Sequence, residues 1–293
     1  MNICIIGSNG YIGQYLCRLL QSRGHNLQSV SSKDEHGIDI KTGLLNDSFN
    51  LNAETECVVY LAQSPYVGFN KLRSNHLYNV NVISAIKVAK KLEDQGGGKF
   101  IYTSTGNVFS PSYDRVSEKS ACRRNDWYAL SKLHAEEALN LFSATLEIIN
   151  LRLFGIYGPM QTNRLIPNLI KKIRDGVPVF LEKNSRDDSD VDGLKLSLTY
   201  INDLTHIMES MICNGAPPLV NVASNQALSL RDIATEIGFV LGHEPNFCFS
   251  DQYRQGNLVA DTKLLTDIIT HQFVPFSEGI QLTVESAKQV LDS

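Results

Sequence analysis

Tyr128 and Lys132 stand four residues apart in Trp127-Tyr128-Ala129-Leu130-Ser131-Lys132. That spacing puts a phenol and an ammonium on one face of a helix. A phenol ionises near pH 10 and is a poor base at neutral pH. An adjacent ammonium favours its ionised form, so Tyr128 could pass a proton to and from a reacting oxygen. Such pairs also arise on solvated helices, and the spacing alone does not assign chemistry.

Upstream, Phe100-Ile101-Tyr102-Thr103-Ser104-Thr105-Gly106-Asn107-Val108-Phe109 reads as a buried strand opening into a hydroxyl-rich turn. Thr105, with Ser104 as its neighbour, could hydrogen-bond a substrate oxygen as charge develops on it. A Ser/Thr turn can equally satisfy only its own backbone.

A third group lies at the start of the chain. Ile3-Cys4-Ile5-Ile6-Gly7-Ser8-Asn9-Gly10-Tyr11-Ile12-Gly13 places Gly-x-x-Gly-x-x-Gly between an expected strand and an expected helix. Gly7 permits the tight turn, Gly10 lets backbone approach a pyrophosphate, and Gly13 lets the helix sit close to the sheet. Together with Asn9, Tyr11 and Ile12 they would present N–H groups of a helix start to an anion. The chemistry expected is dinucleotide binding, and an oxidised nicotinamide would add positive charge near Tyr128.

A turn of this kind normally has an acid roughly 20 residues further on, where it binds the ribose hydroxyls of NAD. Here that region reads Val30-Ser31-Ser32-Lys33, with Asp34 and Glu35 just beyond. Ser31, Ser32 and Lys33 suit a 2′-phosphate, which favours NADP over NAD. The alternative is that Asp34 serves the ribose.

These groups need a scaffold that aims them at one crevice. The first half alternates short apolar runs with amphipathic stretches, the mark of a parallel sheet wrapped by helices. Strands are expected at residues 2–6, 26–31, 57–62, 99–104 and 146–153, and helices at 12–21, 73–93 and 127–142. The fold class is therefore α/β, a Rossmann-like doubly wound parallel sheet, in which cofactors bind at the carboxyl ends of the strands.

Beyond Arg152 the pattern becomes richer in Pro and loops, which indicates a smaller mixed α/β region. It includes helices near 165–174 and 230–241, the latter capped by Ser229, and a loop at 182–193 with four Asp residues. Residues 1–155 are expected to bind the dinucleotide and carry catalysis. Residues 156–293 would mainly bind substrate, with some segments returning to the first domain and a cleft between the two.

Composition narrows the class. The 293 residues are 43% hydrophobic and 20% charged, ordinary for a globular protein with a substantial core. A net charge of −4 with scattered basic pairs argues against a nucleic-acid partner. No signal-peptide pattern opens the chain, and no apolar run approaches a membrane span. A cytoplasmic protein is expected. The six cysteines and seven histidines form no metal-ligand spacing, so the cysteines read as buried reduced thiols and no protein-bound metal is expected.

Taken together these residues resemble the extended short-chain dehydrogenase/reductase family of nucleotide-sugar epimerases, dehydratases and reductases, over nearly the whole chain. Gly7–Gly13 resembles its cofactor motif, Tyr128 and Lys132 its catalytic pair, and Thr105 its strand-end hydroxyl. Asp39-Ile40 is similar to its adenine-contacting pair, Leu61-Ala62 to the loop beside the cofactor, and Asn79 to the asparagine of its Asn-Val-x-Gly-Thr helix. Later, the passage from Arg152 to Tyr157-Gly158-Pro159 and the hinge Tyr200-Ile201-Asn202-Asp203 also match. Arg254-Gln255-Gly256-Asn257 resembles its substrate-phosphate motif.

The resemblance implies NAD(P)-dependent hydride transfer at C4 of a nucleotide-diphosphate sugar, by a 4-ketoreductase or a 4-epimerase, and a homodimer built on the helix that carries Tyr128. Ser104 and Arg254 are its expected substrate contacts. Departures matter: Thr105-Gly106-Asn107 replaces the Thr-Asp-Glu of 4,6-dehydratases, so dehydration is not expected. Ser31 in place of a strand-end acid leans towards a reductase using exchangeable NADPH. Gln63 replaces a small residue, and Leu196 stands where an Arg is usual. The alternative from another class is a non-catalytic dinucleotide sensor or scaffold.

Overall fold

The computed structural model describes residues 1–66 and 74–291. The first five strands are β1 (Asn2–Ile6), β2 (Asn26–Val30), β3 (Cys57–Tyr60), β4 (Gly98–Thr105) and β5 (Leu146–Leu153). β1 pairs in parallel with both β2 and β3, β3 with β4, and β4 with β5. All four residues of β3 and seven of the eight in β4 are buried. A parallel strand covered on both faces must be apolar at successive positions, which is why these segments show no alternation.

The strands are joined by α1 (Tyr11–Ser22), α2 (Ser74–Tyr78), α3 (Ala85–Asp94) and α4 (Trp127–Asn140). The long helix expected from residue 73 is interrupted: a π-helical segment, Asn79–Ser84, separates α2 from α3. Arg73 itself lies outside the described residues. The widened turn frees carbonyls, and two buried sheet tyrosines take them, Tyr60 donating to Val80 O and Tyr102 to Asn81 O at 3.0 Å. Such bulges concentrate at functional sites.

Later elements are β6 (Ile156–Tyr157), α5 (Leu165–Arg174), β7 (Val179–Asn184), β8 (Lys195–Ser197), β9 (Thr199–Tyr200), α6 (Ile201–Asn214) and β10 (Leu219–Val222). They are followed by β11 (Ala227–Ser229), α7 (Leu230–Leu241), β12 (Phe247–Arg254), α8 (Lys263–Ile268) and α9 (Phe276–Leu291). Ser229 does cap α7, in a reciprocal capping box with Asp232. β10 completes a six-stranded sheet of order β10-β5-β4-β3-β1-β2. The strand order reverses between β1 and β3, so the crevice at their carboxyl ends is the topological switch point of this sheet.

Two units emerge. The first comprises Met1–Ser110, Ala121–Leu153 and Thr205–Val220, and the second Pro111–Ser120, Phe154–Leu204 and Asn221–Ser293. In the second, β12 pairs in parallel with β7, β11 pairs antiparallel with β8, and β6 pairs in parallel with β9. Of the cysteines expected to be buried, Cys4 and Cys57 are, while Cys213 is exposed. Among the described residues no helix is long and apolar enough to cross a membrane.

Candidate active site

The glycine turn sits at the switch point. Gly7 donates its N–H to Val30 O at 2.7 Å, joining the turn to the end of β2, and Gly10 donates to Gly7 O at 3.0 Å. Gly7 has φ +97°, and a Cβ there would lie 2.8 Å from Ala62 N. A Cβ on Gly13 would lie 2.3 Å from Gly7 O and 2.6 Å from Ser8 O. The backbone is thus packed as closely as a missing side chain allows.

Gly10 is the N-cap of α1 and supplies no side-chain acceptor. The start of the helix at Tyr11, Ile12 and Gly13 thus carries no side-chain cap from its N-cap residue, and a helix start of this kind suits a phosphate. Asn9 closes the turn by accepting from Gln14 Nε2 at 2.9 Å through its carbonyl. Leu61 and Ala62 follow β3 directly, Leu61 N bonding Ile6 O at 2.8 Å. These residues fit a dinucleotide pyrophosphate.

α4 begins at Asp126, whose carboxylate accepts from Ala129 N at 2.8 Å. This cap sets the phase that puts Tyr128, Lys132 and Glu136 on one helix face. Tyr128 is half-buried, and its hydroxyl donates to Gln63 Oε1 at 3.3 Å. Lys132 is 1% exposed; its Nζ donates to Thr103 O at 2.8 Å and lies 4.7 Å from the centre of the Tyr102 ring. Burial lowers its pKa from 10.5 to about 7, against the opposing pull of Glu136. A strongly perturbed pKa with a defined physical cause is a feature that functional sites share.

Thr105 is buried at the end of β4, and its Oγ1 accepts from Asn107 N at 3.2 Å. With a lone pair used in this way, the hydroxyl still has its proton to donate to a substrate oxygen.

Successive strand residues face opposite ways, so Ser104 points away from Thr103 and Thr105, and its buried hydroxyl donates to Glu136 Oε1. Glu136 also takes Arg152 Nε at 3.1 Å and Nη2 at 2.7 Å. Ser104 is thereby part of a buried ion-pair network under α4.

Asn79 Nδ2 donates to Thr42 O at 2.7 Å. Asn81, two residues on and fully buried in the π segment, donates to Ser131 Oγ of α4 at 2.9 Å. Asn81 is therefore the asparagine that braces the catalytic helix. Asp39 Oδ1 accepts from Lys41 N, Thr42 N and Thr42 Oγ1 at 2.9, 2.7 and 3.0 Å, bonds that hold its pKa below the ordinary value. Ile40 beside it is 57% exposed.

The end of β2 bears on cofactor choice. Ser31 is buried, and its Oγ accepts the Lys33 N–H at 3.2 Å. Asp34 folds back so that Oδ2 accepts the Ser31 N–H. A carboxylate thus occupies the strand end that the sequence seemed to leave to Ser31, Ser32 and Lys33. This removes the argument for a 2′-phosphate.

In the second unit Arg254 is buried, with Nη1 donating to Glu182 O at 2.7 Å and Nη2 paired with Asp190. Its guanidinium is engaged by the acidic loop rather than lying open. Among the described residues no group of His, Cys, Asp and Glu could hold a metal.

Sequence reasoning missed Gln63 as the acceptor for Tyr128, and also Glu136, Arg152, Asn81 and Asp190. Glu136 was readable, since it stands four residues beyond Lys132 on the same helix face. The others depend on contacts between distant segments.

With this geometry in place, comparison with known proteins is informative. Residues 3–223 match the model of the NAD dependent epimerase/dehydratase family, and the chain belongs to that family. It is an enzyme family, and the Rossmann-like sheet is the one its solved members share. An uncharacterized UDP-glucose epimerase, YtcB, of Bacillus subtilis is 23% identical over 86% of this chain and 86% of its own. The dTDP-6-deoxy-L-talose 4-dehydrogenase (NAD(+)) of Aggregatibacter actinomycetemcomitans is 25% identical over 83% of this chain and 91% of its own. Among solved structures, a UDP-glucuronic acid 4-epimerase from Bacillus cereus in complex with NAD superposes with a TM-score of 0.81 at 20% identity, covering 100% of this chain and 98% of that one.

Proposed function

We propose that this protein transfers hydride, through NAD, at C4 of a nucleotide-diphosphate hexose, as a 4-epimerase or a 4-ketoreductase. The observation that carries the reading is Lys132, a buried lysine directly beneath Tyr128 on the face of α4 that meets β4. Bound NAD supplies the hydride acceptor and donor. Tyr128 takes the proton from the C4 hydroxyl, or returns it to the carbonyl oxygen, and Thr105 donates a hydrogen bond to the same oxygen. Lys132 holds the cofactor ribose, and its positive charge favours the phenolate form of Tyr128. Epimerisation needs the same groups twice, on the two faces of the sugar; reduction needs them once.

Gly7, Asn9, Gly10, Tyr11, Ile12 and Gly13 hold the pyrophosphate, Leu61 and Ala62 line the nicotinamide side, and Asp39 and Ile40 meet the adenine. Arg254 is the diphosphate contact of the sugar nucleotide. Elimination of water lies outside this reading, because Gly106 and Asn107 bring no carboxyl group beside Thr105. A homodimer is part of it, supported by Trp127 and Ile83, large apolar side chains 46% and 42% exposed near the start of α4 and in the π segment.

NAD rather than NADP follows from Asp34, whose carboxylate at the end of β2 suits ribose hydroxyls and repels a 2′-phosphate. Calorimetric titration should show NAD binding at least about tenfold tighter than NADP. Asp34→Ala should erase most of that preference; an unaltered preference would remove Asp34 from cofactor selection. The activity itself is tested by supplying 4-keto sugar nucleotides with NADH, and 4-epimeric sugar nucleotides with NAD. Oxidation of NADH or interconversion of epimers is the expected result. Bound cofactor with neither reaction would favour a dinucleotide sensor.

A further inference from the structure

Buried Arg254 and half-buried Asp190 form a pair whose hydrogen bonding is incomplete on both sides. Arg254 is 3% exposed. Its Nη1 donates to Glu182 O and its Nη2 to Asp190 Oδ2, yet its Nε–H is buried without an acceptor. Asp190 Oδ2 accepts from Arg254 and, at 3.2 Å, from Asn184 Nδ2, and lies 3.4 Å from Lys195 Nζ; its Oδ1 is buried without a donor. Leaving a charged donor and a charged acceptor each one bond short is costly. A guanidinium in this state has room for one more anionic oxygen.

The loop that carries Asp190 is built to present it. Asp187 closes a local turn by accepting Ser189 N at 3.0 Å and Ser189 Oγ at 2.6 Å, and Asp192 is tied to Arg231 at 2.9 Å. Asp190, between these two fixed points, is the acid that turns inward to Arg254. Burial acts to raise its pKa, but the bonds from Arg254 and Asn184 and the charge of Lys195 outweigh this and keep it ionised. Lys195 is 40% exposed and already near the same oxygen, so it offers the carboxylate a second partner nearer to solvent.

We propose that Asp190 is an internal anion that occupies Arg254 in place of a substrate phosphate group and moves onto Lys195 when a nucleoside diphosphate binds. The proposal rests on the reading of Arg254 as the diphosphate contact. It makes Asp190 a determinant of affinity: every diphosphate must displace a carboxylate, and apparent affinity falls by the fraction of molecules in which Arg254 is released. Uncharged ligands, or anions too weak to compete, would be rejected.

The test is calorimetric titration of the full chain, loaded with NAD, with UDP, dTDP and GDP, for the unaltered protein, Asp190→Asn and Lys195→Met. Asp190→Asn keeps the shape and removes the charge. It should bind the preferred diphosphate about tenfold tighter, whereas Lys195→Met, which removes the second partner, should bind it several-fold more weakly. A purely structural Asp190 would act in the opposite sense, with Asp190→Asn unfolding more readily and binding less. Equal or weaker binding by Asp190→Asn, where the unaltered protein binds a diphosphate, overturns the internal-anion role and leaves the proposed function standing. Absence of diphosphate binding by all three proteins, with NAD still bound, overturns both.

Discussion

Tyr128→Phe is expected to lower turnover by ~10³-fold, the range over which a positioned general acid–base acts, while changing the affinity for NAD by less than about threefold. The substitution removes one oxygen from a half-buried ring and with it the 3.3 Å bond to Gln63. The cap at Asp126 and the bond from Asn81 to Ser131, which hold α4, are untouched. Steady-state kinetics with a sugar nucleotide and titration with NAD separate the two quantities. Turnover within about tenfold of the unaltered enzyme would move the proton transfer to another group.

Lys132→Met should have a double signature: turnover lost and NAD bound at least about tenfold more weakly, but the fold made more stable at neutral pH. Lys132 is charged at a desolvation cost, and its pKa falls from 10.5 to about 7. Between those values the unfolded chain binds a proton that the folded chain does not. Stability contributed by this site therefore rises as the pH is raised from 7 towards 10.5, and the penalty is fully present below 7. Replacing the ammonium by a thioether of similar length removes this penalty, which the lowered pKa already expresses net of the attraction of Glu136. Urea unfolding at both ends of that pH window should show Lys132→Met ahead at the low end and the gap closing at the high end. A variant less stable than the unaltered protein at pH 7, by a margin that does not change with pH, would mean that Lys132 is a structural cation.

The groups proposed to carry the chemistry were legible in the sequence because each sits inside one element. Gly7, Gly10 and Gly13 span a single strand-to-helix turn, and Tyr128 and Lys132 a single helix face. The parallel sheet was equally legible, since strands such as Cys57–Tyr60, buried throughout, can only be apolar runs. What was not legible depends on phase or on distant partners. The π segment Asn79–Ser84 changes the helical phase, so that Asn79 faces Thr42 and Asn81 reaches Ser131. Period-two alternation places Ser104 opposite Thr105, a consequence available in principle once the strand end was known. The return of Asp34 to Ser31 is a four-residue turn whose Ser and Asp favour turning but do not specify that the carboxylate closes on the strand end. The pairing of Asp190 with Arg254 spans 64 residues and could be read only from coordinates.

The central claim is that hydride passes between a nicotinamide and C4 of a nucleotide sugar under the control of Thr105, Tyr128 and Lys132. Its most direct test is a single-turnover reaction of the enzyme with NADH carrying deuterium at both C4 positions and a UDP-4-keto-hexose, read by mass spectrometry. The account predicts one deuterium at C4 of the product sugar, with NAD left behind and no transfer by Tyr128→Phe. Product lacking the label, or transfer undiminished in Tyr128→Phe, would contradict it.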